Sequence, residues 1–352
     1  MFSMLPFNYM FLFVMGLGTL FSVSSVHWLG IWAGLEMNLI GFLPMLVYQK
    51  SNSESESAVK YFVVQAMGSS FLMFGSLLVY SLSFSWEVFN NLQSLSMVGF
   101  IIMMSGLCIK LGVFPFHFWL PSVMAGLPWM TCLLLATWQK LAPLFLVMSL
   151  LEFNNSYWFI ILICILSSGS ALVGGLGGMN QTQIRALLGY SSIGHLGWMM
   201  FAMISSEWIM KIYLGVYVAI SLCMFVMLWL SDNSTMKNLD SLKNSGFTQL
   251  SVILMLLSLG GLPPLLGFIS KWLVILLGVE KPYSMFIFIL ILGSLMSLFY
   301  YLSLFFSLTL GSMKKYNLVW SYSSYNLPLL SIIIMNMLGG LFIVMLNMLF
   351  TF

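Results

Sequence analysis

Long apolar runs, interrupted by short polar breaks, fill this chain from end to end. A helix that crosses a bilayer needs about 20 apolar residues. Runs of that length predict eleven spans, at roughly 6–24, 26–48, 58–82, 94–113, 123–150, 157–177, 181–204, 208–230, 247–279, 284–310 and 325–350. The connections are short, the longest being 231–246 and 311–324. The pattern therefore predicts an all-α polytopic membrane protein, with residues 1–352 forming a single transmembrane domain. The opening MFSMLPFNYMFLF has no basic region, no small-residue cleavage site and no Arg-rich amphipathic pattern, so the first run is expected to be a retained helix.

Two spans carry breakers. FPFHFWLP at 114–121 contains Pro115 and Pro121, and GGLPPLLGF at 260–268 contains Pro263 and Pro264. Proline inside a helix removes a donor and frees a carbonyl, at about 3 kcal/mol. In lipid such groups need protein partners or a wet cavity. The breaks fall in the fourth and ninth predicted helices, and an odd offset of five reverses topology. Paired interruptions of this kind mark inverted repeats. The expected repeats are about 6–150 and about 157–310, with an extra C-terminal helix at about 325–350.

Composition supports lipid as the solvent. Hydrophobic residues are 61% of the 352, and charged residues 6%, against roughly 25% in soluble domains. The net charge of +3 is small and scattered, which argues against nucleic acid. Loop charge predicts orientation. Lys50, Lys60, Arg185, Lys237, Lys243, Lys314 and Lys315 fall on the N-terminal side, and Lys211 and Lys281 on the other. The N-terminus is thus expected on the negative side of the membrane.

Against this background, Glu36, Lys110, Lys140 and Lys271 lie well inside apolar runs. Each costs at least about 2.5–3.5 kcal/mol at mid-bilayer. A buried pair or a snorkelling stem is the structural alternative, but Glu36 is too short to snorkel. Its natural partner is Lys110, in GLCIKLGVFPF. Burial disfavours a charged amine and a nearby carboxylate restores it, so a pair that can separate is a proton switch. Lys140, in LLATWQKLAPLF, has no acid in its own run, which suits a relay. Lys271 follows the second break, where freed carbonyls can orient its amine. His195, in YSSIGHLGWMM, is deep in the seventh predicted helix, the counterpart of Glu36's helix. An imidazole there can pass protons or serve as a structural hydrogen-bonding group. His117 lies inside the first break and is expected to satisfy backbone. His27 lies in a short turn beside Trp28 and reads as an interfacial anchor.

Cys108, Cys132, Cys164 and Cys223 sit in apolar runs without metal-ligand spacing and read as packers. No ligand set for an iron–sulfur cluster or haem is present, and the thirty methionines read as filler rather than metal ligands. No cofactor or metal is expected in this chain.

The strings KLGVFPFHFWLP, TWQKLAP, YSSIGHLGW and GLPPLLGFISKW, in this order, closely resemble the subunit-2 family of mitochondrial NADH dehydrogenase. These are antiporter-like membrane subunits of respiratory complex I, related to Mrp-type cation/proton antiporters. The likeness runs over essentially the whole chain. It implies that Glu36, Lys110, Lys140 and Lys271 form a polar axis linking proton half-channels. It also implies that animal members lack N-terminal helices of the bacterial form, and that the N-terminus faces the matrix and the C-terminus the intermembrane space. One departure is Ile-Ser-Lys-Trp at 269–272, where many relatives read Leu-Pro-Lys-Trp; Ser270 restores a backbone donor there.

The resemblance implies proton translocation across the mitochondrial inner membrane. NADH, FMN, iron–sulfur clusters and ubiquinone are expected in partner subunits. Charge shifts on Glu36 would change the proton affinity of Lys110 and send a proton to Lys140 and on to Lys271. Moving one charge against about 100 mV needs about 2.3 kcal/mol. Cycling a lysine's proton affinity over about two decades supplies about 2.7 kcal/mol, so modest shifts suffice. Expected partners are other complex I membrane subunits, including neighbouring antiporter-like ones, and membrane lipids, with cardiolipin a candidate at basic loops. The competing readings are a free-standing Mrp-type cation/proton antiporter, which the scarcity of buried carboxylates disfavours, and a non-pumping structural subunit.

Overall fold

A computed structural model describes residues 7–48, 51–84, 86, 96–153, 156–231, 246–263, 265–313 and 336. Among these residues the regular structure is helical, with no β-strand. The chain divides into two compact units, Met1–Ile163 and Cys164–Phe352.

The first unit contains α1 (Phe7–Ser24), α2 (Trp28–Leu46), α3 (Asn52–Ser83), α4 (Ser96–Leu111), α5 (Trp119–Gly126), α6 (Trp129–Ala136) and α7 (Trp138–Phe153). Helix α8 (Tyr157–Gly178) leads into the second unit, which contains α9 (Ile184–Ser205), α10 (Glu207–Ser231), α11 (Gly246–Gly260), α12 (Leu266–Val279) and α13 (Ser284–Met313). Seven of the described segments are long and apolar enough to cross a membrane: α2, α3, α6 with α7, α8, α9, α10 and α13. Helices α1, α4, α11 and α12 are apolar but shorter. The predicted eleventh span at 325–350 lies outside the described residues, apart from Asn336. So do the topology residues Lys50, Lys237, Lys243, Lys314 and Lys315.

Small residues let the helices approach closely, the main source of helix affinity where lipid removes the hydrophobic drive. A Cβ on Gly34 of α2 would stand 2.5 Å from the Ser22 nitrogen of α1. A Cβ on Gly106 of α4 would stand 2.8 Å from the Gly68 carbonyl oxygen of α3. Large apolar side chains meanwhile remain exposed on outer faces, such as Tyr9 and Phe13 of α1 and Met285 and Phe288 of α13. Such faces suit lipid or an apolar partner.

Both expected breaks are present, and they share a backbone pattern. Helix α4 ends at a left-handed Gly112 with φ 73°. Its N–H and that of Val113 both donate to the Cys108 carbonyl, at 2.9 and 3.1 Å, and Phe116 N–H donates to Val113 at 2.8 Å. Helix α11 ends at Gly261 with φ 80°. Gly261 and Leu262 N–H both donate to the Leu257 carbonyl, at 3.1 and 3.3 Å, and Leu265 N–H donates to Leu262 at 3.0 Å. The residue numbers differ by 149 throughout (112/261, 113/262, 116/265). Each is a glycine cap at the head of a G-x-x-P string, GVFP or GLPP.

Two details differ from the sequence expectation. Pro121 does not extend the first break; it sits in the first turn of α5, where a missing N–H costs little. The span expected at 123–150 is not one helix but the end of α5, then α6, then α7. Leu127 is extended, with ψ 152°, as the residue before Pro128 must tend to be. A further interruption falls at Thr137, whose hydroxyl donates to the Leu133 carbonyl at 2.7 Å. Downstream, Pro143 lacks the N–H that would bond the Gln139 carbonyl.

Candidate functional site

The last turn of α4 carries Lys110, buried at 7% exposure. Its amine lies 3.9 Å from Oε1 of Glu36 in the middle of α2. That separation is ion-pair proximity rather than a hydrogen bond. The same Glu36 oxygen is buried and, among the described residues, has no hydrogen-bond partner. The end of α4 is closed by other groups: the Trp119 indole N–H donates to the Ile109 carbonyl at 3.0 Å, and Gln65 Nε2 donates to the Lys110 carbonyl at 3.4 Å. Release of the Lys110 amine from Glu36 therefore leaves the helix end capped.

Lys140 lies in the first turn of α7, immediately past the Thr137 interruption, and is also buried. Lys110 and Lys140 line one cavity of about 20 Å³, together with Asn38, Tyr61, Gln65 and Gln139. A space of that size holds a water molecule when polar groups surround it, as they do here. Asn38 and Gln139 form a reciprocal amide pair: Asn38 Nδ2 donates to Gln139 Oε1 at 2.9 Å, and Gln139 Nε2 donates back to Asn38 Oδ1 at 3.1 Å. The Tyr61 hydroxyl reaches the same Gln139 oxygen at 3.5 Å. Neutral amides do not titrate, so this pair orients its neighbours without competing for their protons.

In the second unit, Lys271 of α12 folds back onto the end of α11. Its amine donates to the Gly260 carbonyl at 2.9 Å and lies 3.5 Å from the Leu259 carbonyl. The break thus uses the lysine itself as its cap, the role that Trp119 and Gln65 take in the first break. Lys110 precedes its break and Lys271 follows its own, so the two lysines are not equivalent. Ser270 turns its hydroxyl to the Gly267 carbonyl at 3.1 Å, and α12 continues through it.

His195 of α9 is buried, and its Nδ1 is 2.9 Å from the Tyr213 hydroxyl of α10. His195 and Lys271 line one cavity of about 10 Å³ with Ser191, Ser297, Tyr300 and Tyr301. Tyr300 and Tyr301 are 2% and 1% exposed. Among the described residues their hydroxyls lack a hydrogen bond of good geometry, although Ser297 lies beside the first, Ser191 beside the second, and the two hydroxyls beside each other. A buried unsatisfied hydroxyl costs about 1–3 kcal/mol.

The structure therefore brings Glu36, Lys110 and Lys140 together in the first unit, and Lys271 and His195 together in the second. His117 stays at the first break, with Nδ1 3.1 Å from the Pro115 carbonyl oxygen. Lys60 and Lys211 make exposed ion pairs with Glu56 and Glu207 at 2.6 and 3.0 Å. Cys108, Cys132 and Cys164 are buried thiols outside any disulfide, with Cys223 half-buried. Among the described residues no group of three or more His, Cys, Asp or Glu could hold a metal ion. The sequence reading passed over Asn38, Tyr61, Gln65, Gln139, Tyr213, Tyr300 and Tyr301 because none is charged. A usable signal was the amides at Glu36 plus two and Lys140 minus one, polar side chains beside charges inside apolar runs.

A sequence profile of the NADH:quinone oxidoreductase/Mrp antiporter transmembrane family matches residues 25–299. The chain is 43% identical over 273 residues to NADH-ubiquinone oxidoreductase chain 2 of Anopheles gambiae, covering 76% of each. It is 40% identical over 265 residues to chain 2 of Oryctolagus cuniculus, covering 75% of this chain and 74% of that one. Among solved structures, a chain of respiratory complex I from Thermus thermophilus, with bound aureothin, matches with a TM-score of 0.79 at 26% identity, covering 86% of this chain and 70% of the other. A chain of the membrane-bound sulfane sulfur reductase, an archaeal respiratory membrane complex, matches with a TM-score of 0.84 over 97% of this chain and 74% of the other; at 19% identity it shows the fold alone.

Proposed function

We propose that this chain, which belongs to the NADH:quinone oxidoreductase/Mrp antiporter transmembrane family, is a proton-translocating membrane subunit of mitochondrial respiratory complex I. Relatives that share about three quarters of its length carry the name NADH-ubiquinone oxidoreductase chain 2. The observation that carries the proton role is the placement of Lys110 and Lys140 on one small polar cavity, with Glu36 3.9 Å from the first amine.

The chemistry follows from that geometry. With Glu36 close and ionised, Lys110 holds its proton. Moving the carboxylate away, or protonating it, leaves desolvation unopposed and the amine sheds its proton. The cavity offers a water-sized space through which that proton can reach Lys140, and Asn38 and Gln139 fix the geometry. Lys271 and His195 form a second titratable set. The energy arrives from NADH oxidation and ubiquinone reduction in partner subunits, which hold the FMN and iron–sulfur clusters; no residue of this chain is given a redox role. Its partners are the other complex I membrane subunits, including neighbouring antiporter-like ones, with cardiolipin a candidate at the basic loops.

The same reading treats about 6–150 and about 157–310 as inverted repeats, with the N-terminus on the matrix side and the C-terminus in the intermembrane space. The matching glycine caps of the two breaks support it.

The test is the proton-to-electron ratio of the assembled complex in sealed vesicles, with Lys271→Ala in this chain. A lowered ratio with NADH oxidation still running supports the reading. An unchanged ratio in this and in the Lys110→Met and Lys140→Ala complexes leaves a structural subunit.

A further inference from the structure

The cavity that holds Lys271 and His195 measures about 10 Å³, at or below the space one water molecule needs. Water alone is a poor bridge there, and the wall supplies another. Tyr300 and Tyr301 of α13 line the same cavity, with ring centroids 4.7 Å apart. Both are almost fully buried, and among the described residues both hydroxyls are without a well-formed hydrogen bond, with Ser297, Ser191 and each other as the polar groups beside them. A phenylalanine would fill either position with no polar group to satisfy. His195 meanwhile is held by Tyr213 at 2.9 Å, and Lys271 by the Gly260 carbonyl, so both titratable groups are fixed in place while the two phenols, in contact with each other, share their cavity.

We infer that Tyr300 and Tyr301 are a phenol relay that carries the proton between the amine of Lys271 and the imidazole of His195. A proton leaving Lys271 Nζ bonds to one phenol oxygen while that phenol's own proton passes to the other phenol and from it to the imidazole. One N–H bond breaks on lysine and one forms on histidine. The positive charge moves from amine to ring, and both phenols end neutral, with one proton each. Ser297 and Ser191, beside the two hydroxyls, give each a resting acceptor when no proton is in transit. The inference rests on the proton-translocation reading and assigns that reading two residues that neither charge nor motif singles out.

The test uses the assembled complex in sealed vesicles, with Tyr300→Phe, Tyr301→Phe, the double variant and Lys271→Ala in this chain. Proton uptake is measured per NADH oxidised, alongside thermal melting of the solubilised complex. A phenol relay predicts that the Phe variants lower the ratio as Lys271→Ala does, and that the proton flux through this chain falls about a hundredfold or more, the usual scale for losing a positioned proton-transfer group. It also predicts a melting temperature close to the parent's, because the phenyl ring keeps the packing of the phenol; a fall in the ratio that appears only together with a large loss of melting temperature overturns the relay and makes the tyrosines structural. An unchanged ratio in the Phe variants with a lowered one in Lys271→Ala overturns the relay and leaves the general reading standing. An unchanged ratio in all of them overturns both. For the unmutated complex, labelling tyrosine with carbon-13 in the ring gives a second measurement: infrared difference spectra during turnover should show tyrosine bands, and their absence also overturns the relay.

Discussion

The amine of Lys271 donates to the carbonyl of Gly260 across 2.9 Å. This contact ties a titratable side chain to the point where α11 breaks. A lysine that caps a helix end has a fixed position and a favourable dipole, yet it keeps N–H bonds for other partners. In the first unit, carbonyls at the end of α4 are taken instead by Trp119 and Gln65, at Ile109 and Lys110, leaving the Lys110 amine to Glu36.

Gly261 has φ 80°, and a Cβ there would stand 2.9 Å from Lys271 Nζ. Gly261→Ala should therefore push the amine off the carbonyls and add about 1–2 kcal/mol of backbone strain. The expected result is a lowered proton-to-electron ratio in vesicles, close to that of Lys271→Ala, although the lysine is intact. A ratio equal to the parent's would show that the cap does not position the amine.

Lys140→Ala should remove most of the pumping that this chain contributes while the complex still assembles, as judged by native gels and proton uptake per NADH. Lys140→Arg should fail to the same degree, because a guanidinium keeps its proton at any pH the protein meets. A normal ratio in the arginine variant would mean that position 140 needs a charge and not a titrating group.

Glu36→Gln removes the carboxylate 3.9 Å from Lys110 and keeps the side-chain shape. The pair is long, at 3.9 Å, and Lys110 can shed its proton rather than stay buried and charged without a partner, so the stability change should be modest. Pumping should fall much further than stability. Melting curves and proton uptake on the same preparation separate the two. A large loss of melting temperature with normal pumping would make the pair an assembly contact.

Asn38 and Gln139 should couple in a double-mutant cycle. Gln139→Leu alone leaves the buried Asn38 amide without its partner, at about 1–3 kcal/mol, and Asn38→Leu leaves the half-buried Gln139 amide with only its weaker contacts to Tyr61 and Met15. The double variant leaves neither, and should recover part of the loss, with a coupling of about 0.5–3 kcal/mol. Thermal melting of the solubilised complex measures it. Strict additivity would show that the two amides are satisfied independently.

The apolar runs announce the helices, because a helix satisfies its own backbone in lipid, and the described helices fall where those runs predict except at 123–150, which is divided among α5, α6 and α7. Pro115 and Pro263 announce the two breaks. The Thr137 interruption is hidden, since threonine is common in helices and its hydroxyl reaches back to Leu133 only once the turn is formed. The small α5 is hidden too, because Pro121 looks like a breaker and is instead an early helical residue. Glu36 and the three lysines stand out because each is a charge in an oily string. Tyr300 and Tyr301 do not, because a tyrosine in such a string is ordinary until it is found buried on a cavity shared with Lys271 and His195.

Burial of charge in hydrocarbon is costly whatever the arrangement, so the linear order of residues was enough to mark Glu36, Lys110, Lys140 and Lys271 and to establish a helical membrane protein. Which of them share a cavity was not readable that way. Lys110 and Lys140 are 30 positions apart (140 − 110) on different helices, and their meeting depends on how glycine-lined helices pack and where α4 and α7 begin and end. The same holds for Lys271, His195 and the tyrosine pair: their proximity comes from side chains of three helices converging on one small space, and no local pattern encodes that convergence.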